Sequence, residues 1–303
     1  QFQMSVPVKL YGHYVSQPAR SLIWLLRLND HPFEMNKVEP LSGGCRTKEY
    51  IRLFPTGKSP GLVDGDFRLS EGTAIAQYLC MKEGWKSWLG GDSIQDQAVV
   101  NSYLSSHHST SRNITHKVFH PAMLWIMKPN ERPFTEDLRD KAKFVMEKEA
   151  KKFGEAWLPG DGFIGGFSEP TIADLFAYCE FAQAKQMGVV NETGDDRVEN
   201  WLAKVQKLDH HDDVHRSLAK VRDIYQIMEE KRREKWERRV FDAMDFDEDG
   251  LRRDGVEILL KGRKVLKGGE AVTEAMIDEV FNRFDTDNNG TIEHKEFMEW
   301  YQE

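Results

Sequence analysis

Twelve consecutive residues near the C-terminus, Asp285-Thr286-Asp287-Asn288-Asn289-Gly290-Thr291-Ile292-Glu293-His294-Lys295-Glu296, place oxygen donors at the spacing a hard cation needs. Asp285, Asp287 and Asn289 stand at loop positions 1, 3 and 5, and Gly290 at 6 permits a sharp turn. Thr291 offers its backbone carbonyl at position 7, and Glu296 at 12 closes the loop with both carboxylate oxygens. Ca²⁺ takes about six to eight oxygens, and this spacing wraps them around one point. Ile292 at position 8 is expected to pack against a paired loop; a polar helix connector is the plain alternative.

A second stretch, Asp245-Phe246-Asp247-Glu248-Asp249-Gly250, begins the same way. Asp245, Asp247, Asp249 and the Leu251 carbonyl are its weaker ligand candidates. Position 8 is Arg252, however, position 12 is Val256, and Glu257 comes one residue late. Either this loop distorts to bring Glu257 to a cation, or it serves as a structural partner of the other.

The elements that must position these loops are readable from pattern. No Gly or Pro occurs over 213–244, and Ile224, Met228, Trp236, Val240, Phe241 and Met244 recur at helical intervals among Lys and Arg. This predicts one long helix or two abutting ones entering the first loop. Of the 50 acidic and 42 basic residues, 21 and 14 fall in 229–303, so nearly all of the net charge of −8 sits there. An acidic module of this kind suits cations and disfavours nucleic acid.

At 303 residues, with 40% hydrophobic and 30% charged, the chain suits two or three globular domains. No apolar run approaches the roughly 18 residues of a membrane span. Cys45, Cys80 and Cys179 are far apart and in no metal-ligand spacing, which argues for a reducing, cytoplasmic setting. Strands are expected over 6–11, 33–38, 61–63 and 67–69, and helices over 19–28 and 72–82, a small mixed sheet with flanking helices. The 84–92 stretch reads as a linker. Helical patterns follow over 95–118, 135–155, 171–186 and 197–205, the third opened by Thr171 with Asp174 three residues on, a helix-start signature.

The segment Leu10-Tyr11-Gly12-His13-Tyr14-Val15-Ser16-Gln17-Pro18-Ala19-Arg20, followed by Leu22, resembles the opening of theta-class (Ser-type) glutathione transferases. Phe54-Pro55-Thr56-Gly57-Lys58-Ser59-Pro60-Gly61-Leu62 and Asp64-Gly65-Asp66-Phe67-Arg68-Leu69-Ser70-Glu71 resemble two further segments of that family. The likeness is specific over the first 80 residues and looser onward to Met228, through Tyr103, Leu104, His108, Arg112 and 171–175. It implies an α/β thioredoxin-like N-terminal domain over 4–84 and an all-α transferase domain over 93–228. An α-helical EF-hand pair, joined by a long helix, completes the chain over 229–303. It also implies a cytoplasmic homodimer that conjugates glutathione to small electrophiles, with Ca²⁺ as the metal cofactor of the EF-hand module.

The resemblance makes Ser16 the catalytic hydroxyl. A cysteine thiol titrates near about 8.5, so only a small fraction is thiolate at neutral pH. A hydroxyl donating to sulfur at a helix N-terminus favours the anion without attacking anything itself. The alternative for Ser16 is a plain N-cap, and Tyr11 and Tyr14 are rival hydroxyls. For glutathione binding the resemblance nominates Gln17, Arg46, Lys58, Ser59, Pro60 (after a cis bond), Glu71, Gly72 and Arg112. Glu71 would meet the γ-glutamyl ammonium and the Gly72 amide its carboxylate. Lys58 and Arg46 would meet the glycyl carboxylate, surface charge being their alternative. Gly72 replaces a family Ser and Cys45 a frequent His. Arg112 stands either near the thiol or in an interdomain ion pair. His107 and His108 read as packing residues, and Phe119 and Trp125 as pocket lining or core. Two functions follow: a glutathione transferase modulated by Ca²⁺, or a catalytically weak calcium-sensing interaction protein using a transferase fold as scaffold.

Overall fold

A computed structural model describes residues 7–39, 43–244, 250–253, 255–257, 260 and 273–302, arranged as two compact units, Gln1–Tyr225 and Gln226–Glu303. In the first, β1 (Val8–Gly12), α1 (Gln17–Leu28), β2 (Phe33–Lys37), α2 (Lys48–Leu53), β3 (Gly61–Asp64), β4 (Phe67–Ser70) and α3 (Gly72–Glu83) build a thioredoxin-like layer. Its sheet order is β2-β1-β3-β4, with β1 and β2 parallel (Val8 opposite Phe33) and the other pairs antiparallel (Leu10 opposite Leu62, Leu62 opposite Leu69). Period-two alternation sends Val8 and Leu10 into the core, both fully buried. The helix α2 follows a Thr47 cap, whose hydroxyl accepts from the Tyr50 amide. Sequence pattern did not reveal it, because six residues are too few to show a helical period.

The helical layer comprises α4 (Ile94–His107), α5 (Arg112–Ile114), a π-helical segment (Thr115–Phe119), α6 (His120–Met127), α7 (Glu136–Trp157), α8 (Ile172–Gln186), α9 (Asp196–Val205) and α10 (His211–Met244). The helix expected over 95–118 is therefore interrupted. The reason is local: Ser109 and Thr110 hydroxyls both donate to the Ser106 carbonyl, at 3.0 and 2.8 Å, and compete with the helical ladder. The helix restarts at Arg112, changes register through the π segment, and continues with Pro121 in the first turn of α6, where a missing N–H costs least.

The helix α8 is the centre of this unit, every residue from Ile172 to Ala184 being buried. Its start carries the full capping box: Asp174 accepts from the Thr171 amide at 2.9 Å and also holds Ile164 N and the Trp201 indole. Against α8 packs α1, whose Arg20 and Ser21 side chains donate to the Cys179 and Leu175 carbonyls at 3.4 and 3.1 Å and whose Trp24 ring meets Tyr178 edge-on. Trp24 donates to the Asp209 carbonyl at 2.8 Å and meets the stacked rings of His211 and His215 edge-on. No helix among the described residues is long and apolar enough to cross a membrane.

The second unit gathers Phe241, Leu251, Val256, Ile277, Phe284, Ile292 and Phe297 into its own core, with helices Glu274–Phe284 and His294–Gln302. Leu251 and Ile292 exchange both backbone hydrogen bonds at 2.8 Å, the short antiparallel bridge of an EF-hand pair.

Candidate active site and calcium loop

Ser16 ends a turn that the chain holds from several sides. The Val15 amide donates to His13 Nδ1 at 3.1 Å, Arg20 donates to the Val15 carbonyl at 2.6 Å, and Ser217 donates to the Tyr14 carbonyl at 3.0 Å. Because Nδ1 of His13 accepts, its neutral ring carries the proton on Nε2, which faces Glu39 at 3.2 Å. Arg20 is fully buried, a role that the sequence left unassigned. Ser16 has extended backbone at the N-cap of α1, and its hydroxyl makes no capping bond. Pro18 starts the helix in its place. The hydroxyl is thus available to a ligand at the positive end of a twelve-residue helix.

A cavity of about 440 Å³ opens there. Ser16, Gln17, Arg46, Lys58, Ser59 and Arg112 line it, as do the apolar Val15, Phe119, Met123 and Met127. A smaller cavity of about 200 Å³ shares Lys58, Ser59 and Arg112, and adds Pro60, Glu71 and Gly72. All nine residues nominated from sequence therefore lie on two joined cavities. The Ser59–Pro60 peptide is cis. Glu71 has φ 72° and ψ 115° at the N-cap of α3, a strained backbone for a non-glycine residue that lines a cavity. Cys45 also borders the larger cavity, and burial pushes its thiol up. Trp125 is not on the wall; it packs with Phe134 and Tyr225 under the Arg139 guanidinium.

Gly72 is tightly seated. A Cβ there would meet Pro18 Cβ at 3.0 Å and Phe176 Cε1 at 3.1 Å. A serine here would require Pro18 and Phe176 to give by a few tenths of an ångström.

Arg112 donates to Glu180 at 2.7 Å and to Gln17 Oε1 at 3.0 Å. Gln17 donates in turn to Gln183 Oε1, while Gln183 donates to Thr115 at 2.6 Å and Thr115 to Glu180. His107 approaches Glu180 at 3.4 Å. Gln17 and Arg112 are thus members of a buried bridge between α1, the π segment and α8 as well as cavity lining. Burial alone would raise the Glu180 carboxyl, but Arg112 and His107 hold it down at about 2.

The sequence reading passed over His116, His120, Met123 and Met127. Two series at intervals of four, Arg112-His116-His120 and Phe119-Met123-Met127, carry the signal of one helical face. Pro121 falls inside the second series, in the first turn of α6. Burial, together with neighbouring His116 and Arg112, pushes His120 down to about 4, so its imidazole is neutral.

In the second unit, Asp285, Asp287 and Glu296 bring a carboxylate oxygen each within 4.8 Å of one another. Gly290 has φ 86°, and its amide donates to Asp285 at 2.9 Å. The Thr286 and Glu293 amides donate to the two Glu296 oxygens at 2.9 and 3.0 Å, which fixes that carboxylate over the loop. The Thr291 amide and hydroxyl both donate to Asn289 Oδ1, at 2.9 and 2.7 Å. This hard-oxygen set fits Ca²⁺ in kind and placement. Of the first loop, Asp245, Asp247 and Asp249 lie outside the described residues. Leu251 does not offer a free carbonyl, because its oxygen accepts from Ile292. Ile292 stands seven residues after Asp285 but Leu251 only six after Asp245, so the first loop is one residue shorter up to the bridge. Counting onward, Gly255 falls where Glu296 stands, and Glu257 two residues beyond it.

Comparison with known proteins agrees with this geometry. The glutathione S-transferase N-terminal domain matches residues 6–80, and the EF-hand domain pair matches residues 233–302. Glutathione S-transferase theta-1 of Gallus gallus is 30% identical over 222 residues, 66% of this chain and 83% of that protein. Glutathione S-transferase T1 of Arabidopsis thaliana is 28% identical over 241 residues, 75% of this chain and 94% of that one. Human glutathione transferase theta-2, solved in complex with glutathione and an unknown ligand, superposes with a TM-score of 0.64 at 24% identity. The match covers 73% of this chain and 91% of that one. A hydroxyl left open at the head of α1, two joined cavities and this kinship agree: the chain belongs to the theta-class glutathione S-transferases and carries an EF-hand pair after its transferase region.

Proposed function

We propose that this transferase ionises the thiol of glutathione at Ser16 and conjugates it to small apolar electrophiles in the larger cavity, and that Ca²⁺ bound at 285–296 modulates the reaction. The observation that carries the first part is the Ser16 hydroxyl, which caps no amide and borders a cavity walled by Val15, Phe119, Met123 and Met127. Glutathione extends from there along Ser59 and Pro60, with Glu71 and the α3 N-terminus at its γ-glutamyl end and Arg46 and Lys58 at its glycyl end. The hydroxyl donor then favours the thiolate, while the apolar residues beside the sulfur oppose ionisation but leave the anion poorly solvated and reactive.

Calcium would be held by Asp285, Asp287, Asn289, the Thr291 carbonyl and Glu296, with the shorter first loop as structural partner. Support for modulation is that α10 contributes His211 and His215 to the transferase core and Phe241 to the calcium unit. Homodimerisation rests on kinship alone, and a cytoplasmic setting on three free cysteines. Steady-state conjugation of glutathione to a benzylic halide, measured in excess Ca²⁺ and in chelator, tests both parts. Absence of turnover removes the enzymatic reading, and identical kinetic constants in the two buffers remove the regulatory one. Light scattering of the intact chain tests the dimer.

A further inference from the structure

A polar side chain stands in sequence between two apolar lining residues of the larger cavity, Phe119 and Met123. His120, the first residue of α6, lines it together with Val15, Phe119 and Met123. Its ring stands 5.3 Å edge-on from His116 and 6.3 Å from Phe119, and among the described residues it makes no side-chain hydrogen bond. Arg112, which also lines the cavity, commits its Nη1 to Glu180 and Gln17.

We propose that His120 is the electrophile-selecting residue of this enzyme, its ring N–H donating to the carbonyl oxygen of an α,β-unsaturated aldehyde or ketone as the thiolate adds. The inference rests on the transferase reading above and names the substrate class of the same cavity.

The chemistry balances without a further reactant. The sulfur anion forms a bond to the β-carbon, the carbon–carbon π pair moves toward the carbonyl, and the carbonyl π pair moves onto oxygen. The N–H of His120 holds that enolate oxygen. The α-carbon then takes a proton from water, replacing the one that the thiol released on ionising, and the carbonyl reforms. A preorganised donor contributes most where charge develops in the transition state. A neutral imidazole suits this role, as a polariser that need not give up a full charge, and burial keeps His120 in that form at neutral pH. The hydrocarbon remainder of the substrate meets Phe119 and the two methionines, whose flexible thioethers fit varied shapes. An alkyl halide develops no charge on oxygen for the imidazole to meet.

The test compares trans-2-nonenal with 1-iodohexane, using the full-length protein and the variants His120→Phe and His120→Gln. The ratio of kcat/KM for the enal to that for the iodide should fall about 100- to 1000-fold in His120→Phe, the range of one lost oxyanion donor. His120→Gln, which keeps an N–H, should recover most of that ratio. Equal loss on both substrates, or an unchanged ratio, overturns the inference while leaving the transferase reading in place. Wild-type turnover of the iodide but not the enal does the same. Failure of the wild type on both substrates, with folding intact by circular dichroism, overturns the transferase reading as well.

Discussion

Arg112 reaches Glu180 at 2.7 Å from a helix restart three residues long, and through Gln17 it ties the head of α1 to the centre of α8. The pair is buried on the Glu180 side, 1% exposed, and it borders both cavities through Arg112. It therefore couples the position of the catalytic turn to the helical layer. Replacing Glu180 by Gln leaves a guanidinium without its counter-charge and should cost about 3 kcal/mol of stability. Urea unfolding of Glu180→Gln against wild type measures this.

The same pair sets an acid dependence. The Glu180 carboxyl is held at about 2 against an ordinary 4.5, so the folded state favours its ionised form. Its stabilisation is fully present above pH about 4.5 and is lost as pH falls toward about 2, on the order of 3 kcal/mol in all. Stability curves between pH 5 and 2 should be flatter in Glu180→Gln than in wild type.

Ser16→Ala separates the catalytic from the capping role. Since the hydroxyl caps no amide, stability should change by less than about 0.5 kcal/mol, below the usual N-cap loss. Conjugation should fall about 10- to 100-fold in kcat/KM, because one donor to the developing thiolate is gone. Ultraviolet titration of enzyme-bound glutathione should show its thiol pKa moving up. A large stability loss with unchanged turnover would mark Ser16 as a cap.

Gly72→Ser restores the hydroxyl of the family pattern into occupied space. With Pro18 and the buried Phe176 at 3.0 and 3.1 Å from the new Cβ, overpacking should cost about 1–2 kcal/mol. Thermal unfolding should show a lower midpoint, and KM for glutathione should not improve.

Calcium titration calorimetry should give one site per chain. Glu296→Gln should abolish it, since that carboxylate closes the loop, whereas Glu257→Gln should leave affinity and stoichiometry unchanged. Two equivalents bound by the wild type would show that the shorter first loop also holds a cation.

What the sequence determined by itself was everything encoded over short spans: the alternating strands, the Thr171–Asp174 capping box, the oxygen spacing of 285–296, and the Ser16-Gln17-Pro18 opening of a helix. Each depends on neighbours within about one loop or turn, where residue type and spacing dictate geometry directly. Tertiary structure decided the rest, because it concerns which distant groups meet. It made Gln17 and Arg112 partners of Glu180 and Gln183 across domains, and paired Leu251 with Ile292 so that the first loop falls one residue short. It also brought His120 and two methionines to a cavity, after a π segment that shifts the helical register and that a strict 3.6-residue period does not predict. A side chain's chemistry is local, but its partner and its solvent exposure are properties of the packed chain.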